Sequence, residues 1–207
     1  LEDRARPIVL LRARADAGAL RLAEGVAPGV GTLGVMLPYA PLHHLLAAAM
    51  PLVLTSGNLS DEPIEIDNAR ARSRLGAIAD AFLLHDRPIH VSCDDSVARV
   101  VEGAPVLLRR SRGLAPVPLA LADDGPCVLA VGGDLKAACC VALDRRAILG
   151  QHVGDLESVE TQAALDASAR HLLAAWRAEP AAIACDLHPA YHGARWAAAE
   201  AARRGVP

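Results

Sequence analysis

The chain has 207 residues and a mass of 21.6 kDa, with 53% hydrophobic and 22% charged residues, a composition that indicates a folded globular protein rather than a disordered one. Its net charge of −3 argues against nucleic-acid binding, because proteins that bind nucleic acid carry basic patches. The longest apolar run, residues 45–54, contains Pro51 and is shorter than the about 20 residues that a membrane span needs. We therefore expect contact with neither nucleic acid nor membrane.

The cysteines and the chain ends predict a cytoplasmic protein. Five cysteines without a CxxC spacing predict neither a disulfide framework nor a zinc site built from cysteines alone, which fits a reducing cytoplasm. The chain opens at Leu1 with no basic start or apolar segment of the kind found in signal peptides. Both ends look cut, so we expect the chain to be a fragment.

The first part of the chain predicts short strands around a helix. Strands are expected at 7–11, 97–101 and 105–108, where short apolar runs occur. The run 43–50 predicts a helix that Pro51 ends, and residues 52–54 predict a strand that enters a polar loop.

A second helix is predicted to follow Asp67, a residue type that favours the N-cap position. Helical spacing brings a set of apolar side chains toward one face, where we expect them to contact a core: Leu75, Ile78, Ala79 and Phe82.

A composition break near residues 115–126 predicts a domain boundary, because three prolines and an Asp-Asp-Gly cluster interrupt helices and central strands. We place a first domain at 1–119, a linker at 120–126 and a second domain at 127–207. The second domain is predicted to have the order β-β-β-α-β-α, from strands at 127–131, 139–143 and 147–153, a helix at 159–176, a strand at 182–185 and a helix at 191–204. The predicted class is therefore α/β, an α+β part followed by the first half of a nucleotide-binding actin-like (ribonuclease H-like) or sugar-kinase-like domain.

Two segments of the first part are candidate anion sites. The loop Thr55-Ser56-Gly57-Asn58 follows a predicted strand and offers hydroxyls and backbone N–H groups, or it is a polar turn with Asn58 in the left-handed region. The run 109–113 carries Arg109, Arg110 and Arg112, whose guanidinium groups bind phosphate bidentately, although an exposed edge strand has the same pattern.

Three segments of the second part end predicted strands, where ligands of α/β sheets usually bind. Gly132, Gly133 and Lys136 form a turn that allows close backbone approach and supplies a point charge, although it is not a P-loop. His152 and Asp155 lie in a turn before a helix, where Asp155 also favours the helix start. Asp186 and His188 follow the next predicted strand. Either His188 contacts a substrate or Asp186 caps the helix that follows.

The order and the sequences of these motifs resemble those of the HypF family of hydrogenase-maturation carbamoyltransferases. The matching stretches are collinear and cover nearly the whole chain. They are residues 6–11, 33–46, 54–64, 82–89, 93–99 and 109–113, followed by 132–140, 150–161 and 186–192.

The resemblance implies that the first part is the later portion of a YrdC-like domain that binds ATP and makes carbamoyl-adenylate. The second part is implied to be the start of an actin-like transfer domain. Nucleotide or carbamoyl-adenylate contacts are then expected from Thr55, Ser56, Gly57, Asn58, Arg109, Arg110, Arg112, Gly132, Gly133 and Lys136. Catalytic roles are expected from Lys136, His152 and Asp155.

The implied reaction takes carbamoyl phosphate and ATP, with Mg²⁺, through carbamoyl-AMP to the C-terminal cysteine of the partner HypE. The family's His-rich metal motif is missing, so the ligands of a metal ion, zinc among the candidates, are expected outside this chain. Asparagine is expected in the family where Asp86 stands, which puts a neutral amide contact there in doubt.

Two other functions remain open from the sequence. An antibiotic O-carbamoyltransferase shares the implied architecture and delivers the carbamoyl group to a hydroxyl. Alternatively the chain is an inactive nucleotide-binding fragment, because half of each domain leaves sheet edges unpaired.

Overall fold

The computed structural model describes residues 1–14 and 22–207, which form two compact units. Unit 1 comprises Leu1–Thr55 and Asp95–Leu114, and unit 2 comprises Ser56–Asp94 and Ala115–Pro207. Each unit contains one β-sheet. The mixed α/β class predicted from the sequence is confirmed. The stretch 56–94, which was predicted to belong to the first domain, lies with the C-terminal residues in unit 2.

Unit 1 contains a four-stranded sheet in the order β2-β1-β3-β4. Its described elements are β1 (Ile8–Arg12), β2 (Thr32–Val35), helix α1 (Pro41–Leu46), β3 (Val97–Val101) and β4 (Ala104–Arg109), with a 3₁₀ helix at Glu24–Val26. Strand β1 pairs antiparallel with β2 and parallel with β3, and β3 pairs antiparallel with β4. The three strands predicted here are confirmed.

Two predictions on the segment before Thr55 need correction. The helix is α1, which starts at Pro41, a favoured first helical position, and ends at Leu46 rather than at residue 50. Residues 52–54 form no strand, and Val53 is 70% exposed. An apolar run becomes a strand only when a neighbour satisfies its backbone groups, and no described strand pairs with this run.

Helix α2 (Asn68–Leu75) begins as the sequence predicts, because the Asp67 carboxylate accepts a hydrogen bond from the Arg70 N–H at 2.8 Å. The predicted continuation to Phe82 is wrong. The helix ends at Gly76, a residue with low helix propensity, and Ile78 beyond it is 71% exposed. The apolar spacing after residue 75 therefore does not form a helical face.

Unit 2 contains a three-stranded sheet in the order β6-β5-β7, together with α2 and two longer helices. Its elements after α2 are β5 (Leu119–Val131), β6 (Cys139–Leu149), helix α3 (Val159–Trp176), β7 (Ala182–Ala184) and helix α4 (His192–Arg204). Strand β5 pairs antiparallel with β6 and parallel with β7. Helix α3 therefore connects β6 to β7, which runs parallel to β5.

The predicted linker at 120–126 is wrong as secondary structure, because these residues form the first half of β5. The predicted strands 139–143 and 147–153 both fall within the range of β6, but the chain reverses inside it, because Asp144 has a positive φ and the Gly150 N–H donates to the Cys139 carbonyl oxygen at 2.8 Å. A tight turn near Asp144 therefore separates two antiparallel strands, in agreement with the predicted order β-β-β-α-β-α. The pairing passes through an irregular register near Gly125, and Asp144 opposite it has a φ of 53°. Such a bulge accommodates Pro126 and the charged residues that looked like a turn in the sequence.

The core of unit 2 lies between its sheet and helix α3. The Ser158 hydroxyl caps α3 by accepting a hydrogen bond from the Thr161 N–H at 3.1 Å. The helical spacing predicted for α3 is confirmed, and Leu165, Leu172 and Leu173 are buried. They belong to one cluster with the buried strand residues Leu129, Val141 and Ile148. No helix within the described residues is long and apolar enough to cross a membrane.

Candidate functional site

The turn that follows β5 lies against the start of helix α4. The Asp134 carboxylate accepts hydrogen bonds from the backbone N–H groups of His192 (2.8 Å) and Gly193 (3.0 Å). A Cβ on Gly193 would lie 2.9 Å from the Gly132 carbonyl oxygen, so glycine permits this close approach. Space is open around the Cα of Gly132, where a Cβ would meet no atom within 4 Å. The turn can thus present its backbone to a ligand.

The segment after β6 holds the other side of the same turn. The Asp155 carboxylate accepts a hydrogen bond from the backbone N–H of Lys136 at 2.6 Å. Ala137 donates its N–H to the Gly154 carbonyl and accepts one from Val153 at its own carbonyl, both at 2.8 Å. His152 lies in this tethered segment, directly before Val153. Lys136 is exposed and has a φ of 53°, a left-handed conformation.

The loop after β7 forms a third border of the turn. The Asp186 carboxylate accepts a hydrogen bond from the His188 N–H at 2.9 Å, which is a local turn contact. The capping alternative for Asp186 is wrong, because the N-cap of α4 is Tyr191 and no side chain caps it. The His188 and Tyr191 rings stack with centroids 4.3 Å apart. A Cβ on Gly133 would lie 3.4 Å from the Tyr191 ring and 3.9 Å from the Asp186 carboxylate. The ends of β5, β6 and β7 therefore meet around the turn 132–136.

A cavity of about 860 Å³ lies within unit 2, between the stretch 62–94 and helix α3. Its volume is within the range of small-molecule sites, about 300–1,000 Å³. His152 contributes to its wall beside Gln151, whose amide donates a hydrogen bond to the Ser92 carbonyl oxygen. The His90 and His171 rings meet edge to face in its wall, with centroids 5.2 Å apart. The cavity is lined by charged and apolar side chains together.

The loop Thr55-Ser56-Gly57-Asn58 is exposed except for Asn58, which is half-buried. The Asn58 side-chain amide donates to the carbonyl oxygens of Leu59 (2.8 Å) and Glu62 (2.9 Å) and so closes the following turn. The expectation of a left-handed Asn58 is wrong, because Asp61 has the positive φ, at 62°.

The acidic residue after this loop is neutralised within unit 2. The Glu62 carboxylate pairs with the Arg74 guanidinium of α2, and Arg74 also lies 2.7 Å from Glu65. These pairs raise the pKa of Arg74, chiefly through its hydrogen bond to Glu62. Glu62 therefore does not present a free negative charge beside the loop.

The three arginines at the end of β4 lie in unit 1, and the contacts of Arg112 are structural. Its guanidinium donates to the Asp95 carboxylate at 2.6 Å and to the Ala5 and Arg6 carbonyl oxygens at 3.0 and 2.9 Å. It also lies over the Tyr39 ring, 3.4 Å from the centroid. These contacts favour a role in holding the N-terminal segment. The expected contact of Arg112 with a phosphate stays a prediction, as it does for Arg109 and Arg110.

The site residues predicted from the sequence thus fall into separate groups. Gly132, Gly133, Lys136 and Asp155 meet in one place in unit 2, next to the segment that carries His152. Their roles in binding and catalysis stay predictions. Sequence reasoning missed Asp134 and Tyr191, although an acidic residue directly after two glycines and a tyrosine directly before a helix were the available signals.

The described residues hold no metal-ligand cluster. No group of three or more His, Cys, Asp or Glu side chains among residues 1–14 and 22–207 is arranged to bind a metal ion. All five cysteines are free. Burial raises the pKa of the Cys139 and Cys127 thiols, which favours the protonated form.

Two family models match the chain in succession. The model Sua5_yciO_yrdC, described as "Telomere recombination", matches residues 2–111. The model described as "HypF Kae1-like domain" matches residues 123–206. The two matches together cover most of the sequence.

Curated relatives carry the same name. The chain is 48% identical over 213 residues to "Carbamoyltransferase HypF" of Rhodobacter capsulatus, which covers 100% of the chain and 28% of that protein. It is 44% identical over 202 residues to the protein of that name from Rhizobium leguminosarum bv. viciae, covering 93% of the chain and 26% of the relative. The chain therefore spans about a quarter of the length of these relatives.

Solved structures agree in fold. A crystal structure of full-length HypF in a phosphate- and nucleotide-bound form superposes with a TM-score of 0.88 at 39% identity, over 96% of this chain and 31% of that one. The T. kodakarensis HypF crystal structure gives a TM-score of 0.90 at 36% identity, over 98% of this chain and 26% of that one.

Proposed function

The chain belongs to the HypF carbamoyltransferase family, and on this premise we propose that it serves the transfer of a carbamoyl group from carbamoyl phosphate to a protein thiol. Water first hydrolyses carbamoyl phosphate to carbamate and inorganic phosphate. A carbamate oxygen then attacks the α-phosphate of ATP, which releases pyrophosphate and leaves carbamoyl-AMP. The C-terminal cysteine thiol of HypE then attacks the carbamoyl carbon. A thiocarbamate forms, and AMP leaves. The setting is cytoplasmic hydrogenase maturation.

The observation that carries this proposal is the tethered turn 132–136 within a chain of this family. Its Gly132 backbone borders open space, and Lys136 is the only lysine of the sequence. An ammonium group beside the open backbone of Gly132 suits the phosphate of an adenylate, because it offsets the charge that develops on AMP as it leaves. Asp155 holds the Lys136 backbone in place and so keeps the turn in one conformation.

We propose that the cavity beside His152 shelters the carbamoyl group during transfer. Carbamoyl-AMP is a mixed anhydride that water hydrolyses, so the reaction benefits from a site that excludes solvent. His152 borders a cavity of about 860 Å³, and imidazole is a common proton donor and acceptor in catalysis. We assign it the proton transfer that accompanies attack by the thiol.

ATP is the proposed nucleotide, with Mg²⁺ as its usual companion. The HypF crystal structure with bound phosphate and nucleotide supports a nucleotide site in this family. Thr55, Ser56, Arg109 and Arg110 are proposed to contact its phosphates, since hydroxyls and guanidinium forks are the donors that phosphates accept. A metal ion of the transfer domain would take its ligands from outside this chain.

The competing functions lack a specific observation in their favour. Antibiotic O-carbamoyl transfer would need a hydroxyl acceptor, whereas both curated relatives reported above carry the HypF name. An inactive nucleotide-binding piece remains the expectation for these 207 residues on their own, because they span about a quarter of those relatives.

The proposal is tested by ATP–pyrophosphate exchange with the full-length protein, measured with and without carbamoyl phosphate. We expect exchange only when carbamoyl phosphate is present, and a mass increase of one carbamoyl group on the C-terminal cysteine of HypE. Exchange that ignores carbamoyl phosphate would contradict the proposal. Carbamoylation of a small-molecule hydroxyl in place of HypE would favour the O-carbamoyltransferase alternative.

A further inference from the structure

Asp134 places a negative charge in the turn that is proposed to meet a phosphate. An uncompensated carboxylate there would repel the ligand. Both of its oxygens, however, accept hydrogen bonds from the first turn of α4, from His192 at 2.8 Å and Gly193 at 3.0 Å. The positive end of the helix dipole lies at the same place and offsets the carboxylate charge. The first turn of α4 thus holds this charge in a fixed position.

A second contact holds the turn and the helix together at close range. Gly193 is buried, and its missing side chain lets α4 approach the Gly132 carbonyl oxygen, which a Cβ would meet at 2.9 Å. That distance is shorter than real Cβ contacts allow, so any larger residue would push the helix from the turn. The Gly193 contact and the Asp134 hydrogen bonds therefore act on the same interface.

The Asp134 backbone extends this interface to the third segment of the site. Its carbonyl oxygen accepts a hydrogen bond from the Leu156 N–H at 2.9 Å, one residue beyond Asp155. Asp155 in turn binds the Lys136 backbone. One residue thus contacts the start of α4 and the segment after β6.

We propose that Asp134 is a positioning residue of the carbamoyl-transfer step, which locks the turn 132–136 onto α4 and neutralises its own charge there. The inference rests on the proposed function. Asp134 does not contact the substrate. It acts through Gly132, Gly133 and Lys136, whose placement relative to the adenylate phosphate it determines. Gly193 contributes to the same interface, because it lets α4 approach the Gly132 carbonyl oxygen.

The experiment uses Asp134→Asn and Gly193→Ala, singly and together, in the full-length protein. Asparagine keeps one acceptor oxygen but turns an amide toward the second N–H donor, and alanine pushes α4 away. We expect each single change to lower HypE carbamoylation about tenfold, as a displaced reacting group does. ATP–pyrophosphate exchange should stay within about twofold of the parent, because Asp134 serves only the transfer step. The double variant should lose less than the product of the two single losses, because both changes break one interface.

The matched control is Ser158→Ala, which removes the N-cap of α3 in the same unit. It should cost a comparable amount of stability and leave HypE carbamoylation intact. Amide hydrogen exchange at residues 192 and 193 should accelerate in Asp134→Asn and not in Ser158→Ala. Normal carbamoylation by Asp134→Asn, an equal loss in Ser158→Ala, or unchanged exchange at 192 and 193 would each overturn the inference. Failure of the parent protein to catalyse ATP–pyrophosphate exchange would overturn the proposed function. Amide hydrogen exchange at residues 192 and 193 would still test whether Asp134 holds the turn against α4.

Discussion

Lys136 combines a backbone conformation that disfavours lysine with a charge that the proposed reaction needs. Its φ of 53° lies in the left-handed region, where glycine and asparagine are favoured over other residues. A residue kept in such a conformation is a frequent feature of functional sites. The composition alone drew attention to this residue, because it is the single lysine among 21 basic residues.

We expect Lys136→Asn to separate stability from activity. Asparagine suits the left-handed backbone, so the melting temperature should stay the same or rise, while HypE carbamoylation should fall at least about tenfold because the phosphate loses its cation. Thermal unfolding and carbamoylation of HypE measure the two effects. The matched control is Glu102→Asn, at an exposed turn with a φ of 50°, which should gain stability without loss of activity. Normal HypE carbamoylation by Lys136→Asn would show that Lys136 does not contribute to the site.

Long-range contacts explain which site residues the sequence could not predict. The role of Asp134 depends on N–H groups 58 and 59 residues later in the chain, and that of Arg112 on carbonyl oxygens more than 100 residues earlier. Spacing within a motif carries no information about such partners. Asp67 and Ser158, by contrast, cap helices through residues three positions away, which is why local sequence predicts a cap such as Asp67.

At the scale of elements, helices depend on local sequence, whereas strands depend on partners that are distant in the chain. Helix α3 has the predicted bounds because its apolar spacing is a local property of the sequence. The apolar run 52–54 was predicted to be a strand but is irregular. The Pro- and Asp-rich run 120–126 was predicted to be a linker but is part of β5. A strand depends on a partner, and β6 supplies one for residues 119–126 through an irregular register.

The C-terminal end of α4 makes the stability of unit 2 depend on pH. Hydrogen bonds from Arg203 first, and then from Arg204, lower the pKa of the buried Glu200 from 4.5 to about 2. The folded state therefore binds this proton less readily than the unfolded state does. The stabilisation from Glu200 is complete above pH 4.5 and is lost as the pH falls from 4.5 through about 2.

We expect Glu200→Gln to lower the melting temperature at neutral pH and to flatten its decline between pH 4.5 and 2, because the uncharged amide pairs weakly with two guanidinium groups. Thermal unfolding over this pH range measures both effects. The control is Glu179→Gln, since Glu179 is 95% exposed and lies 4.0 Å from Arg204, a separation at which surface pairs contribute little. An equal decline with pH in Glu200→Gln and in the parent sequence would show that other carboxylates carry the effect.

At the scale of the whole molecule, the two compact units and the two family matches divide the chain differently. The YrdC-type match runs from residue 2 to 111, whereas the stretch 56–94 within it lies in unit 2. Sequence patterns predict where a family motif begins and ends, but contacts between distant segments decide which residues form a compact unit. The composition therefore predicts one boundary near residue 120, whereas the chain passes between the two units after residues 55, 94 and 114.

The apolar segment 45–54 of unit 1 predicts how the 207-residue chain behaves when it is expressed alone. Leu45, Val53 and Leu54 are 77%, 70% and 58% exposed, and Met50 between them is 61% exposed. Contiguous exposed apolar surface of this kind promotes association. We expect the chain to elute as a concentration-dependent oligomer or aggregate in size-exclusion chromatography with light scattering, and Leu45→Glu with Val53→Glu to shift it toward the monomer. The control is Leu187→Glu, because Leu187 is 97% exposed but lies outside this segment. A parent chain that stays monomeric at all concentrations would contradict the prediction, as would an equal shift in the control.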